Sequence, residues 1–330
     1  MNLKQTVEIN EQQEMNKQHE RISLGSSDLL ISPLGIGTWA WGDRLFWGYG
    51  RGGYSDADLQ TAFQVSREAG INFFDTAEIY GRGRSERLLG QFVRAGSRHV
   101  VVATKFFPYP WRLRQKSLLR ALRGSLDRLG LAQVDLYQIH QPFPPVPIET
   151  WMGGLADAVE AGLVRTVGVS NYNPERTQRA LAALEQRGIP LASNQVQYSL
   201  VHRQPERTGL LSLCRQQNIT LIAYSPLAQG LLPGKYTPEN PPPGLRGRRF
   251  KREYLAEIQS LIGLLHEIGE AHGDKTPAQV ALNWVICKGA VPIPGAKNAR
   301  QAQDNVAALG WRLADQEVAA LDAASEDLQQ

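Results

Sequence analysis

The sequence predicts an α/β protein of the (β/α)8 TIM-barrel class, with an N-terminal β-hairpin and two extra helices. Three observations carry that prediction. Short apolar runs suited to buried strands alternate with amphipathic helical stretches eight times along the chain. The 330 residues, 42% of them hydrophobic, suit a single barrel with a large core. Polar residues stand just past the ends of successive apolar runs, where barrel enzymes place their chemistry. A doubly wound open sheet is the alternative reading of the same alternation.

The elements follow in order. Residues 1–20 are rich in Gln, Glu, Asn and Lys and lack an apolar segment, so they read as a disordered tail and not a secretory signal. Residues 21–330 read as one barrel domain. Arg21 to Ile31, with Gly25-Ser26-Ser27-Asp28 at its middle, reads as a hairpin before the barrel. Leu34–Gly37 and Ile71–Phe74 are the first two barrel strands, with Ser55–Ala69 the helix between them and Arg84–Val93 the helix after. Val100–Thr104 suits a strand buried on both faces, and Arg112–Leu129 follows with Leu118, Leu122, Leu126 and Leu129 at helical spacing. Strands at Val134–Ile139, Leu163–Val169, Leu191–Val196 and Ile219–Tyr224 alternate with helices at Ile148–Ala161, Pro174–Arg187 and Glu206–Gln217. A loop rich in Pro, Gly and Arg spans Pro226 to Phe250. Helices at about Arg252–Gly273 and Thr276–Lys288, the strand Ala290–Ile293 and a helix from about Ala299 complete the chain.

Composition narrows the function classes. The net charge of +4 suits a protein that holds an anionic ligand and gives no nucleic-acid signature. The cluster Arg246, Arg248, Arg249, Lys251 and Arg252 leaves a solvated loop and an anion contact both open. No apolar run approaches the roughly 20 residues of a membrane span. Cys214 and Cys287 form neither a disulfide framework nor a zinc spacing, which predicts no metal and fits a reducing cytoplasm. Gly48 to Gly53 and Gly35 to Ala40 match dinucleotide-binding glycine patterns, but neither lies between a strand and a helix, so both read as turn glycines.

Four polar residues converge by topology alone. Asp75 follows the second strand and Tyr80 lies five residues further on; Lys105 follows the third strand and His140 the fourth. A phenol near pKa 10 is a poor acid at neutral pH. A nearby ammonium held by a carboxylate would lower that pKa, and a histidine could orient a carbonyl oxygen. Such a site protonates an oxyanion while a cofactor delivers hydride. Later strand ends offer groups to hold one: Ser170-Asn171, Gln195, Tyr224, and Pro294-Gly295-Ala296-Lys297 leading into a helix with Arg300. Phosphate sites near the last two strands of barrels are common, and Lys297 and Arg300 favour NADPH over NADH.

These segments resemble the aldo-keto reductases. The resemblance rests on Asn72-Phe73-Phe74-Asp75-Thr76-Ala77-Glu78-Ile79-Tyr80-Gly81, Thr104-Lys105, Gly168-Val169-Ser170-Asn171 and Ile293-Pro294-Gly295-Ala296-Lys297. It implies NADPH-dependent reduction of aldehydes and ketones, with Tyr80 as proton donor, Asp75 and Lys105 tuning it and His140 orienting substrate. It further implies cofactor contacts from Thr38, Trp39, Asp75, Ser170, Asn171 and Gln195, a ring stack on Tyr224, and a pyrophosphate loop of Ser225, Leu227, Gln229 and Gly230. Gly295, Lys297, Arg300, Gln301, Gln303 and Asn305 are implied at the adenosine-phosphate end. Gly37-Thr38-Trp39-Ala40-Trp41-Gly42, Tyr109-Pro110-Trp111-Arg112-Leu113 and Asn283–Gly289 are similar to the plant-type pyridoxal reductases and their bacterial relatives. That branch implies pyridoxal as substrate; methylglyoxal, or a redox-sensing role like that of potassium-channel β-subunits, are the alternatives. Only about 20 residues follow Trp311, so no long C-terminal substrate loop is expected. The substrate pocket is expected from Trp39, Trp41, Phe106, Tyr109 and Trp111 around Tyr80 and His140. The expected partner is a small carbonyl compound, in the cytoplasm, with monomer and homo-oligomer both open.

Overall fold

The computed structural model describes residues 21–44, 46–50, 53–96, 100–242 and 250–328. The expected tail at 1–20, Gly52 of the glycine patterns and Arg246, Arg248 and Arg249 lie outside the described residues. Strands β1 (Ile22–Ser23) and β2 (Leu30–Ile31) pair antiparallel as the hairpin. The barrel strands are β3 (Ile36–Gly37), β4 (Phe73–Asp75), β5 (Val101–Phe106), β6 (Val134–Ile139), β7 (Val164–Ser170), β8 (Leu191–Gln197), β9 (Thr220–Tyr224) and β10 (Val291–Pro292). They form one parallel sheet in chain order.

The ends of that sheet meet, which excludes the doubly wound alternative. The Gly35 and Gly37 N–H groups donate to the Pro292 and Pro294 carbonyls, both at 3.0 Å, and Gly37 bridges Gly295 in parallel. Glycine is needed at this seam because a Cβ on Gly37 would stand 2.8 Å from the Ile293 carbonyl oxygen.

Strand periodicity sorts the side chains into two cores. Phe73 on β4, Val101 and Ala103 on β5, and Leu136 on β6 point into the barrel, where Leu24, Leu29 and Ile31 of the hairpin plug its floor. The alternate residues, Phe74, Val102, Tyr137 and Ile139, face the surrounding helices. Asp75, Lys105 and Gln138 share the inward parity, one layer above the apolar plug. Phe106 has the outward parity. It is fully buried with its ring 4.9 Å from Trp151, so it packs sheet against helix and does not line the substrate pocket as expected. Trp41 is likewise core: its Nε1 donates to the Ala296 carbonyl at 2.9 Å and its ring lies 5.7 Å from Phe92.

Helix positions follow the expected pattern, with informative differences at the ends. The helix expected from Arg112 begins at Gln115, which leaves Arg112 in the loop above β5. Glu206–Gln217 divides into Gln204–Arg207 and Leu210–Gln216 at Gly209, whose φ is +75°. The segment from Arg252 also divides, into Arg252–Glu257 and Gln259–Ala271. After Ala299–Val306 comes a separate helix, Asp315–Ala324. Among the described residues, no helix is long and apolar enough to cross a membrane.

Because the seam tolerates no Cβ, Gly37→Ala should force β3 and β10 apart and destabilise the protein by about 1–3 kcal/mol. A urea unfolding midpoint equal to that of the unaltered protein would show that the seam yields freely.

Candidate active site

The inward layer at the strand ends is polar, and the ion pair at its centre is fully bonded. Asp75 is the last residue of β4 and is 1% exposed; Lys105, in β5, is 0% exposed. The Lys105 ammonium donates to Asp75 Oδ2, to the Thr76 carbonyl at 2.8 Å and to the Tyr80 hydroxyl at 3.5 Å. The other carboxylate oxygen, Oδ1, accepts from Gln195 Nε2 at 2.9 Å and Gln138 Nε2 at 3.2 Å. A buried ion pair is tolerable when its remaining donors and acceptors are satisfied, and here they are.

Tyr80 opens a short 3-10 turn, Tyr80–Gly83, that projects its ring over this pair; Lys105 Nζ lies 5.0 Å from the ring centroid. Glycine is required next to it. Gly81 has φ +55°, and a Cβ there would meet the Gly42 carbonyl oxygen at 2.8 Å. The His140 ring stands 5.7 Å from the Tyr80 ring, at 84° to it.

Electrostatics divide the roles. Burial, with the Lys105 charge beside it, pushes His140 down to about 3, so its imidazole is neutral at neutral pH and offers a hydrogen bond, not an acidic proton. Burial holds Lys105 below its ordinary value despite Asp75. Burial, then the Asp75 charge, pushes the Tyr80 phenol well above 10. The net direction is opposite to the expected lowering: for a phenol largely removed from water beside a carboxylate, the phenolate is the costly form. Tyr80 is therefore held as a protonated phenol, able to donate.

A second chain of bonds continues round the rim. Asn171, with φ +62°, donates to the His140 carbonyl at 3.1 Å and to Ser170 Oγ at 3.0 Å, and accepts from the Tyr224 hydroxyl at 3.0 Å. Ser170 Oγ donates to the Gln195 carbonyl at 2.8 Å. Gln195, expected at a cofactor amide, turns its own amide to Asp75. Thr38, also expected to contact cofactor, is fully buried; its hydroxyl bonds to Ser85 Oγ and the Asp75 carbonyl and ties β3 to β4.

The rim then widens into a second cradle. Ser225, Ala228 and Gln229 carry side chains yet have φ of +51°, +48° and +55°. Strain of that kind concentrates where backbone must face a ligand. With Leu227 and Gly230 they form one tight loop, in which the Gly230 N–H donates to the Leu227 carbonyl at 2.9 Å. The buried Gln229 Oε1 finds no hydrogen-bond partner among the described residues. Beyond it, the helix Ala299–Val306 opens with exposed Arg300 in its first turn. Lys297 precedes it, its ammonium 5.3 Å from the Trp47 ring and 5.2 Å from the Tyr54 ring. Gln301 and Asn305 bond the Lys297 N–H and the Gly295 carbonyl and so shape this loop, while Gln303 is exposed. A strained loop, an orphaned buried carbonyl and a helix N-terminus with two cations fit an extended dinucleotide phosphate.

Aromatic rings border the catalytic groups on two sides. Trp39 lies 6.4 Å from Tyr80 and is backed by Phe46 at 5.2 Å and Trp47 at 5.5 Å. Phe107 lies 5.6 Å from His140 and 5.9 Å from Phe143. Trp111, expected in the pocket, is 73% exposed and stacks on Tyr109 at 4.7 Å, so it stands at the outer edge. Sequence reasoning missed Gln138, Phe46, Trp47, Phe107 and Phe143. A signal existed for Phe107 and Gln138: each keeps inward parity, two residues after Lys105 and two before His140.

Comparison with known proteins agrees with this fold. A family model described as the aldo/keto reductase family matches residues 33–326. A chloroplastic pyridoxal reductase of Arabidopsis thaliana is 44% identical over 321 residues, covering 93% of this chain and 86% of that protein. An uncharacterised oxidoreductase of Mycobacterium tuberculosis is 43% identical over 293 residues, covering 87% of each. The crystal structure of a thermostable aldo-keto reductase in complex with epalrestat superposes with a TM-score of 0.77 at 31% identity, covering 92% of this chain and 99% of that one.

The neutral His140 ring makes a pH prediction. The unfolded chain binds its proton near pH 6.5 and the folded protein only near pH 3, so between those values the unfolded state holds more protons and stability falls as pH falls. His140→Asn removes that contribution. Urea midpoints should therefore shift in favour of the variant between pH 7 and pH 5; an unchanged difference would mean that His140 is protonated in the folded protein.

Proposed function

The chain belongs to the aldo/keto reductase family, whose members reduce aldehydes and ketones with NADPH, and we propose that its substrate is pyridoxal, reduced to pyridoxine with Tyr80 as the proton donor. The observation that carries this reading is the Tyr80 phenol, held protonated between Lys105 and His140, with aromatic rings beside both Tyr80 and His140. A planar pyridine aldehyde suits such a site, and the 44% identical relative is named for the same substrate.

The chain's own residues account for the proton. NADPH, when bound, supplies a hydride to the carbonyl carbon. The Tyr80 O–H donates its proton to the carbonyl oxygen, which completes the alcohol and leaves a phenolate. The Lys105 ammonium at 3.5 Å stabilises that phenolate, and Asp75 anchors the ammonium. The neutral His140 ring donates a hydrogen bond to the same oxygen and fixes its approach to Tyr80. Trp39 and Phe107 shield the site from water, which strengthens each of these interactions.

The cofactor contacts follow the rim. Ser170, Asn171 and Tyr224 would hold the nicotinamide end, and Ser225, Leu227, Gln229 and Gly230 the pyrophosphate. Lys297, Arg300 and the helix Ala299–Val306 would hold the adenosine phosphate. Residues 21–330 act as one domain, a reading supported by a hydrophobic core continuous from Leu34 to Leu321. The free thiols Cys214 and Cys287 fit a cytoplasmic setting.

Tyr80→Phe should lower kcat by about 100-fold or more while NADPH still quenches tryptophan fluorescence; retained turnover would remove Tyr80 from the mechanism. Neutralising Lys297 and Arg300 together should weaken NADPH by about tenfold and leave NADH nearly unaffected. Equal effects on both would move the phosphate site elsewhere. Ranked by kcat/KM, pyridoxal should exceed methylglyoxal. The reverse order would identify a small-aldehyde reductase.

A further inference from the structure

Two loops meet above the catalytic groups. The loop after β4 carries Glu78 and Tyr80, and the loop after β5 carries Phe107, Tyr109 and Arg112. They are joined by one ion pair. Arg112 Nη1 donates to Glu78 Oε1, and Nη2 donates to Oε2 at 3.0 Å. The same pair holds the backbone of Phe107 at both of its polar groups. The Phe107 N–H donates to Glu78 Oε1 at 2.7 Å, and the Phe107 carbonyl accepts from Arg112 Nη1 at 2.9 Å. The two side chains are 8% and 19% exposed, and the guanidinium also lies 5.0 Å from the rings of Phe106 and Tyr109.

The consequence is geometric. Phe107 presents its ring to His140, and the acid that fixes its backbone lies two residues before Tyr80. One clamp therefore sets the gap between the proton donor and an aromatic face. Neither charge is spent on the catalytic pair: the side-chain hydrogen bonds of Glu78 and Arg112 go to each other and to the Phe107 backbone. A planar fork that makes two parallel bonds resists rotation in a way a point charge does not.

We propose that the Glu78–Arg112 pair is a positioning device for specificity: it fixes the Phe107 face relative to Tyr80 and His140, and so favours a flat aromatic aldehyde over a small aliphatic one. The inference rests on the aromatic-aldehyde reading above. Small aldehydes need only Tyr80 and His140, whereas a ring must also fit the gap that the clamp defines. Removing either partner leaves the other charge buried and unpaired, so both loops loosen together.

The test compares kcat/KM for pyridoxal, benzaldehyde and methylglyoxal in the full chain and in Glu78→Gln, Arg112→Met, Arg112→Lys and the Glu78→Gln/Arg112→Met double variant. Folding is checked by circular dichroism and NADPH binding by fluorescence quenching. The ratio of aromatic to aliphatic kcat/KM should fall about tenfold in each neutralising variant, through KM more than kcat. Arg112→Lys should recover only part of it, and the double variant should be no worse than either single one, because the two residues act as a unit. Phe107→Ala, which leaves the clamp in place, should lower the same ratio and tests the aromatic face if a clamp variant fails to fold. Equal losses on all three aldehydes, or an unchanged ratio in Phe107→Ala, would overturn the proposal. If the unaltered protein reduces benzaldehyde but not pyridoxal, the pyridoxal reading fails, and the clamp is still decided by benzaldehyde against methylglyoxal.

Discussion

A lysine and an aspartate removed from water at the mouth of a barrel would cost the fold several kcal/mol if left to themselves. The Lys105–Asp75 pair is held there because four strands contribute to its surroundings. β4 supplies the carboxylate and the Thr76 carbonyl beyond it. β5 supplies the ammonium, and β6 and β8 supply the amides of Gln138 and Gln195 that close off the free carboxylate oxygen. No single strand or hairpin could satisfy this pair. The closed parallel sheet is the condition for the charge, and the charge is the condition for the chemistry proposed at Tyr80.

From that pair the site extends in two directions. Towards β3 and β5 it meets rings, Trp39 and Phe107, carried on loops that are themselves tied down. Towards β7, β9 and β10 it meets hydrogen-bonding groups and then a strained loop and a helix N-terminus. In the proposed mechanism the first half handles a carbonyl compound and its proton, and the second holds an elongated anionic cofactor. Because both halves hang on adjacent strands of one sheet, their spacing is set by strand separation and not by flexible connections, which is the arrangement preorganised electrostatics requires.

The environment also assigns the acid. Tyr80 and His140 are neighbours, and either could in principle give up a proton. Burial drives them in opposite senses: it disfavours the charged imidazolium and equally disfavours the phenolate. The histidine is left without an imidazolium proton and the tyrosine is left protonated, which makes the phenol the donor in the proposed mechanism. The neighbouring ammonium acts after transfer, on the phenolate, more than before it.

The sequence by itself determined the eight alternating strand–helix units and the hairpin, and it placed Asp75, Tyr80, Lys105 and His140 near one rim. Alternating apolar and amphipathic stretches report sheet topology directly, and a strand end identifies the rim, so Asp75, Lys105 and His140 were legible without coordinates. Their motifs also pointed to the family. What the tertiary structure decided were matters of direction and contact. Phe106 and Phe107 are indistinguishable in composition; only the parity of β5 sends one to the helices and the other to the site. Trp41 has the sequence position of a pocket wall, an aromatic residue near a strand end, but its indole donates to a carbonyl in the core. Gln195 and Thr38 bond to protein groups because neighbouring strands, distant in sequence, bring those groups within reach. Arg112 left its expected helix because Glu78, 34 residues earlier, is its partner. Local pattern is written along the chain, whereas these choices depend on which strands lie side by side, and that is fixed only when the sheet closes.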